Sequence, residues 1–413
     1  MTAAARPLRT LLFSTLYPSA ARPTHGIFVE TRLRELLKTG QVETRVVAPV
    51  PWFPSTAARW GEPARMAATP REEERHGIRV LHPRYALLPK VGMTLAPLLL
   101  AMGARPAVQR LLQQGWDFDL IDAHYYYPDG VAAALLARWF NKPFCVTARG
   151  TDLNLIPQHA LPKAMIRWAA RQAGASIGVC AALMDVLRGW SGIDARRLHV
   201  LRNGVDLQRF APHPQSAMRQ ALQLPERPTL LSVGHLIERK GHHVAVQAVA
   251  ELRQRGVDVQ LRVIGEGEER PRLQRLIDSL QLTDRVALVG AVPNTELARW
   301  YSAADVLVLA SSREGWANVL LEAMACGTPV VATDIWGTPE VVASPVAGRL
   351  VAARTGAAFA DALQAVLAAP PARTAVRAYA EGFSWDATSR AQVQLFQDLA
   401  GTLAAHRFKD ANA

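Results

Sequence analysis

The chain has 413 residues, too many for one ordinary core, which points to two domains. Half of it is apolar and a fifth charged, as in an ordinary globular protein. Its three cysteines, Cys145, Cys180 and Cys326, are far apart and form no CxxC pair, which argues against a disulfide framework or zinc knuckle and fits a reducing compartment. The formal charge of +12 is unevenly spread: residues 1–200 hold 25 Lys/Arg against 14 Asp/Glu, and residues 201–413 hold 22 against 21. A basic first half would attract an anionic membrane surface or an acidic substrate; without a dense cationic stripe interleaved with aromatics, no nucleic-acid partner is expected.

Short apolar runs alternate with helical patterns along the whole chain, the signature of parallel sheets covered by helices. In the first half, strands are expected at Thr10–Ser14, Thr44–Pro49, Leu120–Ala123, Phe144–Thr147, Ser176–Val179 and Leu198–Leu201. Helical stretches fall between them, at Gly26–Lys38, Val131–Phe140 and Pro162–Ala173. The run Leu8–Leu16 has no cleavage-site pattern after it, so no signal peptide is expected, and the apolar run Met93–Ala104 is shorter than the ~20 residues of a spanning helix. A proline-rich junction from Asn203 to Pro228 precedes a second alternation. Its strands are Thr229–Gly234, Gln260–Ile264, Val286–Val289, Val306–Leu309 and Val330–Thr333, with a helix from about His242 to Arg255 after the first. The expected architecture is α/β, two doubly wound Rossmann-like halves facing across a cleft with ligand-binding loops at the carboxyl ends of their strands.

The segment Arg313-Glu314-Gly315-Trp316-Ala317-Asn318-Val319-Leu320-Leu321-Glu322 follows one of these strands and places two glutamates eight residues apart around a helix start. Free amides there favour an anion, while the carboxylates can accept hydrogen bonds from hydroxyls at either end of the same ligand. Earlier in the same half, Gly234 follows a strand and Arg239-Lys240-Gly241 supplies a forked guanidinium and a compact ammonium, the composition a diphosphate needs. Gly265-Glu266-Gly267 also follows a strand, but lacks the third glycine of a dinucleotide fingerprint.

This combination resembles retaining glycosyltransferase family 4, whose architecture is GT-B. The resemblance extends over nearly the whole chain and includes Asn203-Gly204-Val205-Asp206 and Phe383-Ser384-Trp385. It implies an acceptor-binding domain over residues 1–203, a nucleotide-sugar-binding domain over 204–385, and a last helix, 386–413, packing back toward the first. It further implies that Arg239 and Lys240 hold the donor diphosphate, that Glu322 takes the ribose hydroxyls and that Glu314 faces the sugar. Gly234, Gly265, Gly315, Ala317, Asn318 and Val319 would line the donor, with the base at the edge formed by Gly290-Ala291-Val292. On the acceptor side stand Gly26, His124, Arg149 and Asp152; many relatives carry histidine where this chain has Arg149.

Asp117-Phe118-Asp119 spells a metal-binding DxD, but lies before its strand, at the wrong end for the cleft, and His242-His243 would point in different directions. No metal and no cofactor are expected beyond a UDP- or GDP-sugar donor. The activity implied is retaining, metal-independent transfer of a hexose-type unit to a lipid-linked or polysaccharide acceptor in cell-envelope or exopolysaccharide synthesis, in the cytoplasm or peripherally at the inner membrane face. The rival readings are a nucleotide-sugar epimerase of the same fold and a non-catalytic sugar-nucleotide-binding protein.

Overall fold

The computed structural model describes residues 6–87 and 92–411. The chain divides into two compact units, one made of residues 1–202 with 386–413 and the other of residues 203–385.

In the first unit the strands in chain order are β1 (Leu8–Phe13), β2 (Val42–Val47), β3 (Val50–Pro51), β4 (Glu72–Arg75), β5 (Ile78–Leu81), β6 (Arg84–Tyr85), β7 (Leu120–His124), β8 (Phe144–Ala148), β9 (Ala175–Gly178) and β10 (Leu198–Val200). Eight of these form one sheet in the order β10-β9-β8-β7-β1-β2-β5-β4, while β3 and β6 pair separately. All pairings in the large sheet are parallel except β4 with β5. Runs such as Phe144–Ala148 are buried along their whole length, as expected of strands covered on both faces.

The β4–β5 hairpin was not expected from the sequence. Its two-residue turn is His76-Gly77, with φ of 51° and 75°, the left-handed pair that matches the twist of a tight hairpin. The apolar run 93–104 belongs to the helix Gly92–Gln113, which turns Leu100, Ala101, Ala104, Val108 and Leu111 into the core. Among the described residues no helix is long and apolar enough to cross a membrane.

The final helix, Trp385–Ala411, contributes to this unit's core. Val393 and Phe396 pack with Leu36 of the helix Ile27–Leu37 and with Leu120, Cys145 and Ile177 of the sheet. A buried polar tie runs through the same place: Arg32 Nε donates to Gln392 Oε1 at 2.8 Å, and Arg32 Nη1 donates to the Leu201 carbonyl at 3.0 Å.

The second unit contains β11 (Thr229–Val233), β12 (Gln260–Ile264), β13 (Val286–Gly290), β14 (Val306–Leu309), β15 (Val330–Thr333) and β16 (Gly348–Val351). They form a parallel sheet in the order β13-β12-β11-β14-β15-β16. The order reverses beside β11, so the loops after β11 and β14 leave neighbouring strands in opposite directions. This is the switch point at which open α/β sheets take ligands. Helices His242–Gln254 and Gly356–Ala368 bury Val246, Val249, Phe359 and Leu363 against the strands.

Candidate active site

The predicted donor residues of the second unit converge at the carboxyl ends of its strands. Gly234 follows β11, Gly265 follows β12, and Val292 lies two residues past β13. Backbone bonds lace these ends together: Gly234 N donates to the Ile264 carbonyl at 2.9 Å and Gly265 N to the Gly290 carbonyl at 2.8 Å. Gly265 has φ of 142°, and a Cβ on it would lie 1.9 Å from the Gly234 carbonyl oxygen. Glycine is required there because two chains touch.

Glu314 is the centre of the site. It is buried, and Lys240 Nζ donates to its Oε1 at 2.7 Å while Arg239 Nη1 lies 3.6 Å from its Oε2. Ser311 Oγ donates to the same Oε1 at 2.7 Å. Desolvation pushes the Glu314 pKa up, but the charges of Lys240 and Arg239 and the hydrogen bonds from Lys240 and Ser311 outweigh it and hold the carboxyl below its usual range. Arg239 is fixed further by donation to the Arg313 carbonyl at 2.8 Å. One carboxylate thus aims two adjacent cations, the nearer of which the sequence places 74 residues earlier.

The helix Asn318–Ala325 starts four residues beyond Glu314, and its N-cap, Ala317, makes no side-chain cap bond. Gly315, Ala317, Asn318 and Val319 therefore line a helix start whose first amides can meet an anion. Asn203 Nδ2 donates to Asn318 Oδ1 at 3.2 Å, tying the junction segment to that start. Glu322 lies one turn into the helix and is half-buried. Its Oε2 accepts from the Tyr301 hydroxyl at 2.8 Å, and burial raises its pKa against the opposing effects of Tyr301 and Arg209. Oε1 retains acceptor capacity for a diol.

Sequence reasoning missed Ser311 and Tyr301. Ser311 had a local signal, three residues before Glu314; Tyr301 reaches Glu322 from another helix and had none.

Three of the four acceptor-side residues meet at the carboxyl ends of β7 and β8 in the first unit. Arg149 donates to His124 Nδ1, so that nitrogen is the acceptor and the ring proton sits on Nε2, which donates to Asp122 Oδ2 at 3.2 Å. Burial lowers the His124 pKa to about 4, with Asp122 opposing and Arg149 assisting. Burial also lowers that of Arg149, to about 9. The Arg149 guanidinium stands 5.4 Å from the Phe28 ring centroid. Asp152 is a loop-fixing group: its carboxylate accepts from the amides of Tyr126 (2.9 Å), Arg149 (3.1 Å) and Gly150 (2.8 Å).

Gly26, with φ of 68°, is required by its own chain, since a Cβ there would lie 2.3 Å from the Leu16 carbonyl group. The loop it closes borders a cavity of about 200 Å³ lined in part by Thr15, Ser19, Arg22, His25, Thr69 and Tyr85. Here too an arginine sits on a histidine: Arg22 Nη2 donates to His25 Nδ1 at 2.7 Å, and His25 Nε2 donates to the Thr15 carbonyl at 3.1 Å. Burial and Arg22 both lower the His25 pKa.

The DxD acids are engaged at the amino end of β7. Asp119 accepts from Arg6 and from the Arg9 amide, and Asp117 from Lys142. His242 is buried, with Nδ1 at 2.9 Å from Ser232 Oγ and Nε2 at 3.2 Å from the His235 carbonyl. Among the described residues no cluster of His, Cys, Asp or Glu is arranged to hold a metal ion.

Comparison with known proteins bears on the family and the fold. The model of Glycosyltransferase Family 4 matches residues 63–209, and that of Glycosyl transferases group 1 matches residues 214–383. The chain is 33% identical to the D-inositol 3-phosphate glycosyltransferase of Corynebacterium urealyticum, over 70% of this chain and 73% of that protein. It is 29% identical to the putative teichuronic acid biosynthesis glycosyltransferase TuaC of Bacillus subtilis, over 81% and 83% of the two chains. Among solved structures, sucrose-phosphate synthase from Thermosynechococcus elongatus superposes with a TM-score of 0.78 at 24% identity, covering 96% of this chain and all of that one. Anabaena HepE, solved in complex with UDP-glucose, gives 0.68 at 21% identity, covering 96% and 99%. These neighbours share the GT-B fold of two Rossmann-like domains. The chain belongs to the group 1 glycosyl transferases of glycosyltransferase family 4.

Proposed function

We propose that the second unit binds a UDP- or GDP-sugar and that the enzyme transfers its hexose-type unit, with retention and without a metal, to a lipid-linked or polysaccharide acceptor in cell-envelope synthesis. The observation that carries this reading is the buried Glu314 carboxylate with Lys240 and Arg239 on it, beside a helix start without a side-chain cap. Arg239, Lys240 and the amides at Ala317–Val319 take the diphosphate, Glu322 the ribose hydroxyls and Glu314 the sugar. HepE bears on the donor through its UDP-glucose complex, and TuaC on the acceptor through its assignment to teichuronic acid biosynthesis.

In the transfer, the bond from the anomeric carbon to the β-phosphate oxygen breaks, and its electrons leave on the diphosphate. The acceptor oxygen bonds to the same carbon on the same face, and its proton passes to the departing phosphate. The developing negative charge falls where Arg239 and Lys240 are already held, so little reorganisation is needed; loss of one such preorganised donor typically costs about 2.7–4 kcal/mol. The acceptor belongs to the first unit, at His124 and Arg149 and in the cavity behind the Gly26 loop. Asp152 fixes the loop that carries Arg149.

A thermal-shift panel of UDP-, GDP- and ADP-sugars tests the donor reading, because a ligand bound only by the folded state raises the apparent Tm. A rise with one base is expected; no rise with any of the three contradicts the proposal.

A further inference from the structure

The first unit has an outer face built unlike the rest of the molecule. The helices Gly92–Gln113, Val131–Phe140 and Ala160–Gln172 pack on one another. Together they carry Arg105, Arg110, Arg138, Lys163, Arg167 and Arg171 and no aspartate or glutamate. The helix Ile27–Leu37 of the same unit, by contrast, has Glu30 and Glu35 beside Arg32 and Arg34.

Apolar exposure is concentrated in the same unit. Every large apolar side chain markedly open to solvent among the described residues lies between Ile27 and Leu161, none of them in the second unit. Leu95, Leu98 and Met102 recur at helical spacing along one stripe of the helix Gly92–Gln113, 39%, 43% and 56% exposed. Arg105 continues that stripe and stacks on the Trp139 ring, its guanidinium carbon 5.2 Å from the centroid, which joins the stripe to the neighbouring helix beside Arg138. Trp139 itself is 37% exposed.

A solvent-facing helix normally spends its outer stripe on polar groups. Here the outer stripe is leucine and methionine, edged by arginine and tryptophan with no acid on the three helices. That composition is complementary to one kind of surface: negative headgroups over hydrocarbon.

From this we infer that the helices Gly92–Gln113 and Val131–Phe140 form a peripheral docking face for an anionic lipid bilayer. Leu95, Leu98, Met102 and Trp139 enter the headgroup boundary while Arg105 and Arg138 pair with lipid phosphates. The face deepens the lipid-linked acceptor reading given above, because it brings the acceptor-binding unit to the surface where such an acceptor resides. It is separable from that reading by experiment.

The test is co-sedimentation of the full chain with phosphatidylcholine vesicles and with mixed phosphatidylcholine–phosphatidylglycerol vesicles, at low and high salt. Binding to the anionic vesicles and little to the neutral ones is expected. The pair Arg105→Glu with Arg138→Glu should weaken it by about fivefold or more per charge at low salt. The pair Leu98→Ser with Met102→Ser should abolish the part that survives high salt. Arg196→Glu, an exposed cation outside the three helices, should change little.

Equal binding to both vesicle types, binding untouched by either pair, no vesicle binding at all, or a face that instead joins two copies of the chain in solution would each overturn the inference. The UDP-sugar thermal shift of each variant separates the two proposals. A retained shift with lost vesicle binding concerns the face alone, whereas no shift in the wild type concerns the donor site alone.

Discussion

Lys240 and Glu314 stand 2.7 Å apart, Nζ to Oε1, across the carboxyl ends of the adjacent strands β11 and β14. The pair joins two motifs that are 74 residues apart in sequence, and it makes the glutamate an organiser of cations. Both side chains are largely buried, so the interaction is little screened by solvent, and its geometry is pinned by Ser311 and Arg239.

Glu314→Gln keeps the shape of the side chain and removes the charge that aims Lys240 and Arg239. Transfer from the preferred nucleotide sugar should fall about 100-fold or more in kcat, the scale of a lost preorganised electrostatic contact, with a smaller change in donor KM. Initial-rate kinetics check it. The same carboxylate links stability to pH. Its folded pKa lies below the unfolded value, so its contribution is present above the unfolded value near 4.3 and is lost as pH falls through the folded one. Denaturant titrations should show Glu314→Gln losing less stability than the wild type over that acid window.

Glu322 behaves oppositely. Burial raises its pKa, so the folded state disfavours its charge, and this contribution to stability declines as pH rises from the unfolded value through the folded one. Glu322→Gln should therefore leave the Tm of the unliganded protein at pH 7 unchanged or higher. It should still weaken nucleotide binding by about tenfold, since a bond to a charged acceptor contributes about 1.5–3 kcal/mol. A fall in Tm at neutral pH together with unaltered nucleotide affinity would run against both halves of this expectation.

His124 should stay neutral through the physiological range. With Arg149 on Nδ1 and a pKa near 4, its imidazole nitrogen resonances should show protonated Nε2 and unprotonated Nδ1 from pH 5 to 8. Arg149→Gln removes a like charge and should move the titration midpoint upward. The depressed pKa also means that this group supports the fold above the unfolded value near 6.5 and that the support is lost as pH falls toward 4. Nitrogen-detected NMR across that range is the check; a midpoint near 6.5 in the wild type would contradict the buried Arg–His–Asp arrangement.

Phe396 anchors the last helix in the core of the first unit and is fully buried. Phe396→Ala should cost about 3–5 kcal/mol, measured by denaturant unfolding of the full chain. Nucleotide binding by the second unit should persist under native conditions, which would separate the two units thermodynamically.

Much of the fold was legible because buried parallel strands write themselves as short apolar runs. Thr229–Gly234 and Gln260–Ile264 needed no tertiary information. The edge strand β4 is Glu72-Glu73-Glu74-Arg75, which reads as a charged loop, and only its pairing with β5 and its bonds to Arg79 and Ala20 make it a strand. The short β16, Gly348–Val351, lacked a distinctive run and was missed for the same reason.

In the site, the cations and acids were visible as motifs, and the resemblance supplied their roles. What local pattern could not supply was the pairing of Lys240 with Glu314, the Tyr301 support of Glu322, and the Asp122 that holds His124. Arg149 was the least legible position. The structure makes it the donor that fixes the His124 tautomer, and burial together with the Phe28 ring orients it.

In the proposed function, the cations held by Glu314 bind the diphosphate of a nucleotide sugar. The most direct measurement is calorimetric titration of UDP and GDP onto the wild type and onto Lys240→Met. Saturable binding of one nucleotide by the wild type and at least a tenfold loss of affinity in the variant are expected; equal affinity in both proteins would rule out a diphosphate role for Lys240.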